Sequence, residues 1–428
     1  MEPQEYQYLS RFHNNAIGFL DKLDWYFNKC LIPKTSQLHL GANMNEYLPG
    51  LAGVPATKSN ISDIDGTKGI LFYRGYPIEE LAKQSTFEET ILLLMNGELP
   101  KKDHLATFSN NLRTNRALKY HLVDLMKTLP ASADPMLMLQ TAVSSLGMFY
   151  QGSECLIDGE VCTDLDYVNS ATVKIIARMG TMVTSWKHIA KGYEPAPSRY
   201  DMNYAESFLY MLTGKEPDPL LAHILDVCLI LHAEHTINAS TFSVLVNGST
   251  LSSPYSVISS AIGCLSGPLH GGANAKVLNM LEQVGKPANA AKFVDEQLKR
   301  KSKIWGMGHR EYQTKDPRAT ILQGLIKELL EARGGDVSPL FEVAEALEKA
   351  CEDRLAEKGV YANVDYYSGL LYREMGIPDN QFTAIFAIAR SAGWMAHWRE
   401  QLKDNRIFRP TQIYTGKGKR GYVPMDMR

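Results

Sequence analysis

Five short stretches of this chain concentrate residues suited to chemistry. In Cys264–Ala275, Cys-Leu-Ser-Gly-Pro-Leu-His-Gly-Gly-Ala-Asn-Ala, His270 stands between a Gly-Pro turn and two glycines, just before a helical pattern that opens at Ala273. Glycine and proline fix a backbone path and bury little surface, so the stretch presents its histidine. At a helix entry the dipole disfavours imidazolium, and a neutral imidazole is a hydrogen-bond donor for a developing oxyanion. The competing reading is a glycine-rich turn whose histidine is only a cap. A second histidine, His309, is presented the same way in Gly306-Met307-Gly308-His309-Arg310, with Arg318 nearby. This Gly-x-Gly lacks a third glycine and a preceding strand, so it is a poor phosphate loop. Upstream, Lys299, Arg300, Lys301 and Lys303 gather positive charge. Such a run is either a solvated helix face or a seat for a phosphate-rich ligand.

The third stretch is Asn363-Val364-Asp365-Tyr366-Tyr367. A carboxyl among apolar and aromatic neighbours is raised in pKa and becomes a useful general base, while an aspartate at a helix start is equally an N-cap. The fourth is Leu231-His232-Ala233-Glu234-His235-Thr236-Ile237-Asn238-Ala239-Ser240, at the polar end of an apolar segment. Helical spacing would put His232 and His235 on one face, but nothing completes a ligand shell, so no metal is expected and a polar substrate or mutual satisfaction is favoured. In the fifth, Arg390 interrupts a strongly apolar helix and needs an anionic partner, either from the protein or from a substrate. Arginine forks match carboxylates bidentately, so Arg318, Arg390 and Arg409 together suggest a di- or tricarboxylate.

The elements that position these residues are mainly helical. An Asp65-Gly66 turn between two β-like runs over Ser62–Tyr73 predicts a hairpin. Beyond it, apolar residues three and four apart predict helices over Ile78–Met95, Leu105–Leu129, Pro135–Tyr150, Ala171–Ala190, Tyr204–Leu212, Pro219–Val246, Leu340–Leu355 and Gln381–Ala396, with proline and glycine at the joints. Pro135–Tyr150 and Gln381–Ala396 are apolar nearly all round and are expected inside a large helical core, whereas Leu340–Leu355 carries one stripe. A helix over Tyr6–Phe27 is compatible with its spacing, but no motif gives residues 1–48 a role.

The 428 residues are 45% hydrophobic and 21% charged, and 45 basic residues nearly balance 47 acidic ones, so there is no footprint of a nucleic-acid binder. No apolar run reaches membrane-spanning length. The six cysteines form no Cys-x-x-Cys pair and read as reduced thiols; with the acidic residues of the N-terminal stretch, they point to the cytoplasm.

Taken in order, these motifs resemble the citrate synthase family. The likeness runs from Leu51, with Gly53-Val54-Pro55-Ala56-Thr57 and Tyr73-Arg74-Gly75, to Tyr422-Val423-Pro424. It rests on His-Ala-Glu-His with Asn-Ala-Ser-Thr-Phe, Gly-Pro-Leu-His-Gly-Gly-Ala-Asn, Gly-x-Gly-His-Arg with Asp-Pro-Arg, Asn-Val-Asp-x-Tyr-Ser-Gly, and Gly-Trp-x-Ala-His followed by Arg-Pro.

The resemblance implies a mostly α fold with a short N-terminal β-hairpin: a large helical domain of residues 49–265 and 373–428, a small domain of 266–372, and the active site in the cleft between them, beside an N-terminal extension of 1–48. It implies that acetyl-CoA and oxaloacetate condense to citryl-CoA, which water hydrolyses to citrate and CoA. Asp365 would be the base, His270 the donor to the thioester oxygen and His309 the donor to the oxaloacetate carbonyl. His235, Arg318, Arg390 and Arg409 would hold carboxylates, with Arg409 completing the site of the partner in a homodimer. Lys299, Arg300, Lys303 and Arg310 are candidates for CoA, and no cofactor is implied because acetyl-CoA is a substrate. Glu311, Gln313 and Ala275 depart from the residues common in the family, near the expected CoA channel. The same scaffold also serves 2-methylcitrate synthase, which takes propionyl-CoA; an added methylene changes binding by about 1–3 kcal/mol. Further alternatives are a citryl-CoA lyase-type activity and a non-catalytic assembly protein.

Overall fold

The computed structural model describes residues 47–150, 156–157, 160–161, 165–336 and 338–428. The expected helix over Tyr6–Phe27 lies outside the described residues. The chain divides into two compact units, one of Lys58–Pro410 and one whose described residues are 47–57 and 411–428. The latter holds two short 3-10 turns, Pro49–Leu51 and Met425–Met427, with no buried residue in either.

The Lys58–Pro410 unit opens with the expected hairpin, β1 (Ser62–Asp65) against β2 (Ile70–Tyr73), extended by a short β3 (Tyr76–Pro77). The Asp65 carboxylate closes the turn by accepting from the Thr67 and Lys68 amides, both at 3.1 Å. The remaining strands, β4 (Leu156–Ile157) and β5 (Glu160–Val161), pair with one another.

Sixteen α-helices follow among the described residues. They are α1 (Ile78–Gln84), α2 (Phe87–Asn96), α3 (Lys102–Thr114), α4 (Tyr120–Lys127), α5 (Pro135–Phe149), α6 (Leu165–Ile189), α7 (Tyr204–Thr213) and α8 (Pro219–His232). After these come α9 (Ala239–Gly248), α10 (Pro254–Leu265), α11 (Ala273–Val284), α12 (Ala290–Arg300), α13 (Pro317–Ala332), α14 (Leu340–Leu355), α15 (Val364–Glu374) and α16 (Phe382–Leu402).

Three segments expected as continuous helices are each broken. Ile78–Met95 parts at Ser85–Thr86, where the Thr86 hydroxyl accepts from the Glu89 amide and caps α2. Leu105–Leu129 parts after Thr114, beside the buried Arg116, which donates to the Met202 carbonyl at 2.9 Å. Pro219–Val246 parts after His232 because the chain turns through Thr236, at φ +51°, before Asn238 caps α9. His232 and His235 therefore do not share a helix face.

α16 is the centre of the larger group of helices and packs on α2, α6, α8, α9 and α10. Its run of Ala, Gly and Ser lets neighbours approach, while Trp394 and Trp398 fill the space between them, each fully buried. A fully buried large apolar side chain contributes about 1.5–3 kcal/mol. α5 differs from expectation in leaving Leu137 (58%) and Met148 (69%) exposed. Helices α11–α15 pack mainly on one another: α15 lies against α11 and α13, and α14 against α12. Of the cysteines, Cys228, Cys264 and Cys351 are free thiols; Cys30, Cys155 and Cys162 lie outside the described residues. Among the described residues no helix is long and apolar enough to cross a membrane.

Candidate active site

His270 follows a tight turn in which its amide and that of Gly271 both donate to the Gly267 carbonyl (2.9 and 3.1 Å). A Cβ on Gly271 would collide with the Leu265 carbonyl, and Gly272 takes the left-handed conformation (φ +77°) that starts α11. The Ser240 amide donates to His270 Nε2 at 3.3 Å, which makes that nitrogen an acceptor and leaves the ring proton on Nδ1. The Ser240 hydroxyl, 2.9 Å from the same nitrogen, is itself held by Asn238 and Trp394. Burial, reinforced by the Arg390 charge, lowers the His270 pKa to about 4. The imidazole is thus neutral, with burial and the Arg390 guanidinium as the causes.

His309 is fixed as the opposite tautomer. Its Nδ1 accepts from the Glu311 and Tyr312 amides (3.0 and 3.4 Å), leaving Nε2–H as the donor. Burial, then the Arg318 charge, lowers its pKa to about 4. The glycines around it serve geometry: Gly306 and Gly308 have φ of +76° and +84°, and a Cβ on Gly306 would press on Tyr366 and Val277. This loop pairs with the strand-like stretch ahead of α15, through Gly308 N–H to the Tyr361 carbonyl (2.7 Å) and Asn363 N–H to the Gly306 carbonyl (2.9 Å). The pairing joins the His309 loop to the start of the helix that carries Asp365.

Asp365 is not the N-cap of α15. Asn363 takes that position and accepts from the Asp365 amide at 3.0 Å, which frees the Asp365 carboxyl. Burial raises its pKa to about 6 against the opposing charges of Arg318 and Arg390.

His235 lies in the α8–α9 loop, almost fully buried, 3.3 Å through Nε2 from the Tyr312 hydroxyl and with its ring 5.0 Å from that of His309. Burial and the Arg318 charge hold it well below the ordinary histidine pKa. His232 is structural: its Nδ1 is 2.7 Å from the Cys228 carbonyl one turn back.

Arg318 and Arg390 are both buried and differently supported. Arg318 forms a bidentate pair with Asp316 (3.0 and 2.7 Å), and Asp316 also accepts from the Arg318 and Val364 amides. Arg390 donates through Nε to the His232 carbonyl (2.8 Å) and lies over the Phe386 ring, 4.8 Å from its centroid. Among the described residues no carboxylate lies within 4.0 Å of it. Burial lowers its pKa to about 10, which still leaves it charged at neutral pH.

The remaining sequence candidates are exposed. Arg409 is exposed and donates to the Pro410 carbonyl at 3.1 Å. Lys299, Arg300, Lys303 and Arg310 are exposed; Lys299 and Arg300 close the last turn of α12, where cations suit the helix dipole, and Lys303 lies over the Trp305 ring. Ser240, Tyr312 and Asp316 were not singled out by sequence. Asp-Pro-Arg carries a visible cap signal for Asp316, whereas the contacts of Ser240 and Tyr312 exist only in the folded chain.

Two neutral histidines with opposite tautomers, a carboxyl raised toward neutrality and two buried arginines are thus carried by one helical scaffold. Residues 50–411 match the model of the citrate synthase C-terminal domain. The chain is 53% identical to the citrate synthase of Acidithiobacillus ferridurans, over 89% of this chain and 98% of that protein. It is 51% identical to that of Synechocystis sp., over 89% and 94%. Among solved structures, citrate synthase from Pyrobaculum aerophilum superposes with a TM-score of 0.83 at 40% identity, covering 89% of this chain and 95% of that one. A ternary complex of citrate synthase from the thermophilic archaeon Thermoplasma acidophilum with carboxymethyl coenzyme A and oxaloacetate gives 0.79 at 32% identity, over 88% and 97%. The chain belongs to the citrate synthase family.

Proposed function

We propose that this chain forms citrate from acetyl-CoA and oxaloacetate with Asp365, His270 and His309 as its catalytic groups. Asp365 removes a proton from the acetyl methyl, while His270 donates Nδ1–H to the thioester oxygen as the enol or enolate forms. The new carbon nucleophile attacks the oxaloacetate carbonyl, whose oxygen receives the His309 Nε2–H. Water then hydrolyses citryl-CoA to citrate and CoA. A base and a preorganised donor about one carbon are what thioester enolisation requires.

One observation carries the reading: Arg390 is a buried guanidinium with no carboxylate of the described chain within 4.0 Å. A buried cation left this way is costly unless a ligand neutralises it, and an oxaloacetate carboxylate does so. Arg318 and His235 hold the substrate beside it. Arg409, exposed in its own protomer, completes the partner's site in a homodimer; exposed Leu137, Met148 and Val246 supply apolar surface for that association. Residues 266–372 form the smaller domain, consistent with the mutual packing of α11–α15, and close on the larger one to exclude water. Lys299, Arg300, Lys303 and Arg310 serve the CoA phosphates, no cofactor is needed beyond the two substrates, and the reaction is placed in the cytoplasm.

Release of free CoA thiol with oxaloacetate tests the reading, with acetyl-CoA and propionyl-CoA compared under one condition. Thiol release is expected with acetyl-CoA as the better substrate. Release with neither overturns the reading, and a preference for propionyl-CoA reassigns it to 2-methylcitrate formation.

A further inference from the structure

The three-stranded sheet takes no part in the chemistry above, yet its strands end on the site. Ser62 of β1 and Tyr73 of β2 face one another in the register, and both hold Glu234. The Tyr73 hydroxyl donates to the Glu234 carbonyl (2.8 Å) and accepts from the Glu234 amide (3.1 Å). The Ser62 hydroxyl donates to Glu234 Oε1 (2.9 Å) and accepts from the Thr236 amide (3.2 Å). Glu234 is wholly buried, and the same oxygen lies 3.0 Å from His397 Nε2 of α16. Its other oxygen occupies the space a Cβ on Gly393 would take, and the Gly393 amide donates to the Ala233 carbonyl at 3.1 Å.

The residue between the two gripped positions is His235. Its neighbour Thr236, at φ +51°, holds a conformation that a β-branched residue avoids, so bonds from outside the loop must maintain it. The hairpin and α16 supply those bonds. At the start of the same loop, the His232 carbonyl receives Arg390 Nε. The hairpin tip also touches the loop beyond His309, through the Gln313 amide to the Gly66 carbonyl at 2.9 Å.

We infer that Ser62, Tyr73 and Glu234 are positioning residues for oxaloacetate: the hairpin clamps the Ala233–Thr236 loop to α16 and so fixes His235 and the carbonyl that orients Arg390. The inference rests on the reading of His235 and Arg390 as carboxylate ligands. A bond to a buried carboxylate is stronger than a neutral one, and its loss loosens the loop without emptying the core.

The test compares Ser62→Ala, Ser62→Thr and Arg390→Lys in the full chain, measuring both KM values, kcat and Tm. Ser62→Ala is expected to raise KM for oxaloacetate about tenfold. KM for acetyl-CoA should stay within about twofold and Tm within a few degrees of the parent, and Ser62→Thr should restore oxaloacetate affinity. Arg390→Lys must also raise KM for oxaloacetate; if it does not, the carboxylate reading fails and this inference with it. If Arg390→Lys raises it while Ser62→Ala does not, the positioning inference alone fails. Losses in Ser62→Ala that spread equally over both substrates and follow Tm, without rescue by threonine, also overturn it.

Discussion

In the proposed mechanism, the charge state of three side chains decides the chemistry. Asp365 must be ionised to accept a proton, and its pKa is raised to about 6, whereas His270 and His309 stay neutral down to about 4. The rate should therefore rise through pH 6 as the carboxyl loses its proton and should not track histidine titration there. kcat/KM for acetyl-CoA measured from pH 5 to 8 is expected to show one acid limb near 6. Asp365→Asn should lower the rate about 10²–10⁴-fold and remove that limb while oxaloacetate still binds; an unchanged limb in the variant would assign it to another group. The two histidines stood out in the sequence because glycines flank them, with a Gly-Pro turn ahead of His270. Their tautomers were not, since these are set by Ser240, 30 positions from His270, and by backbone amides of a loop whose path only the fold defines. Asp365 was legible as base or cap, and Asn363, two residues earlier, takes the cap and leaves it free.

At the scale of elements, the helical type of the predicted segments was legible, but their breaks were not, and the helices α10 and α13 were not among those predicted. Three segments with unbroken apolar spacing each stop and restart where a side chain leaves the helix to cap or to reach a distant carbonyl. The Thr86 break brings α2 onto α8, where the Phe87 amide donates to both oxygens of Asp226 (3.3 and 3.1 Å). Burial raises the Asp226 pKa to about 7, with Glu88 and Glu206 adding to the effect and the Phe87 amide opposing it. A folded-state carboxyl pKa above the unfolded value means that the native state binds the proton more tightly, so stability is lost as pH rises from about 4 to about 7. Asp226→Asn keeps an acceptor for Phe87 and carries no charge. Its Tm should exceed that of the parent by more at pH 8 than at pH 5; an equal difference at both would show that Asp226 does not titrate in this range.

For the whole molecule, the expected large and small domains came from family resemblance, because helical spacing alone does not say which helices pack together. The assignment of Arg409 to the partner's site gives a test by complementation. Asp365→Ala and Arg409→Ala chains are each expected to be nearly inactive. Mixed under exchange, they should form hybrids with one intact site, restoring about a quarter of the parent activity at statistical assembly. Absence of restoration would place Arg409 in its own protomer's site.

The carboxylate-free Arg390 has a thermodynamic corollary. On the proposed reading, a dicarboxylate that pairs with this buried cation binds the folded state in preference to the unfolded chain and so stabilises it. Oxaloacetate would in this sense be a folding ligand: the melting temperature should rise with its concentration, and a parent chain whose Tm is unmoved by oxaloacetate would overturn that link.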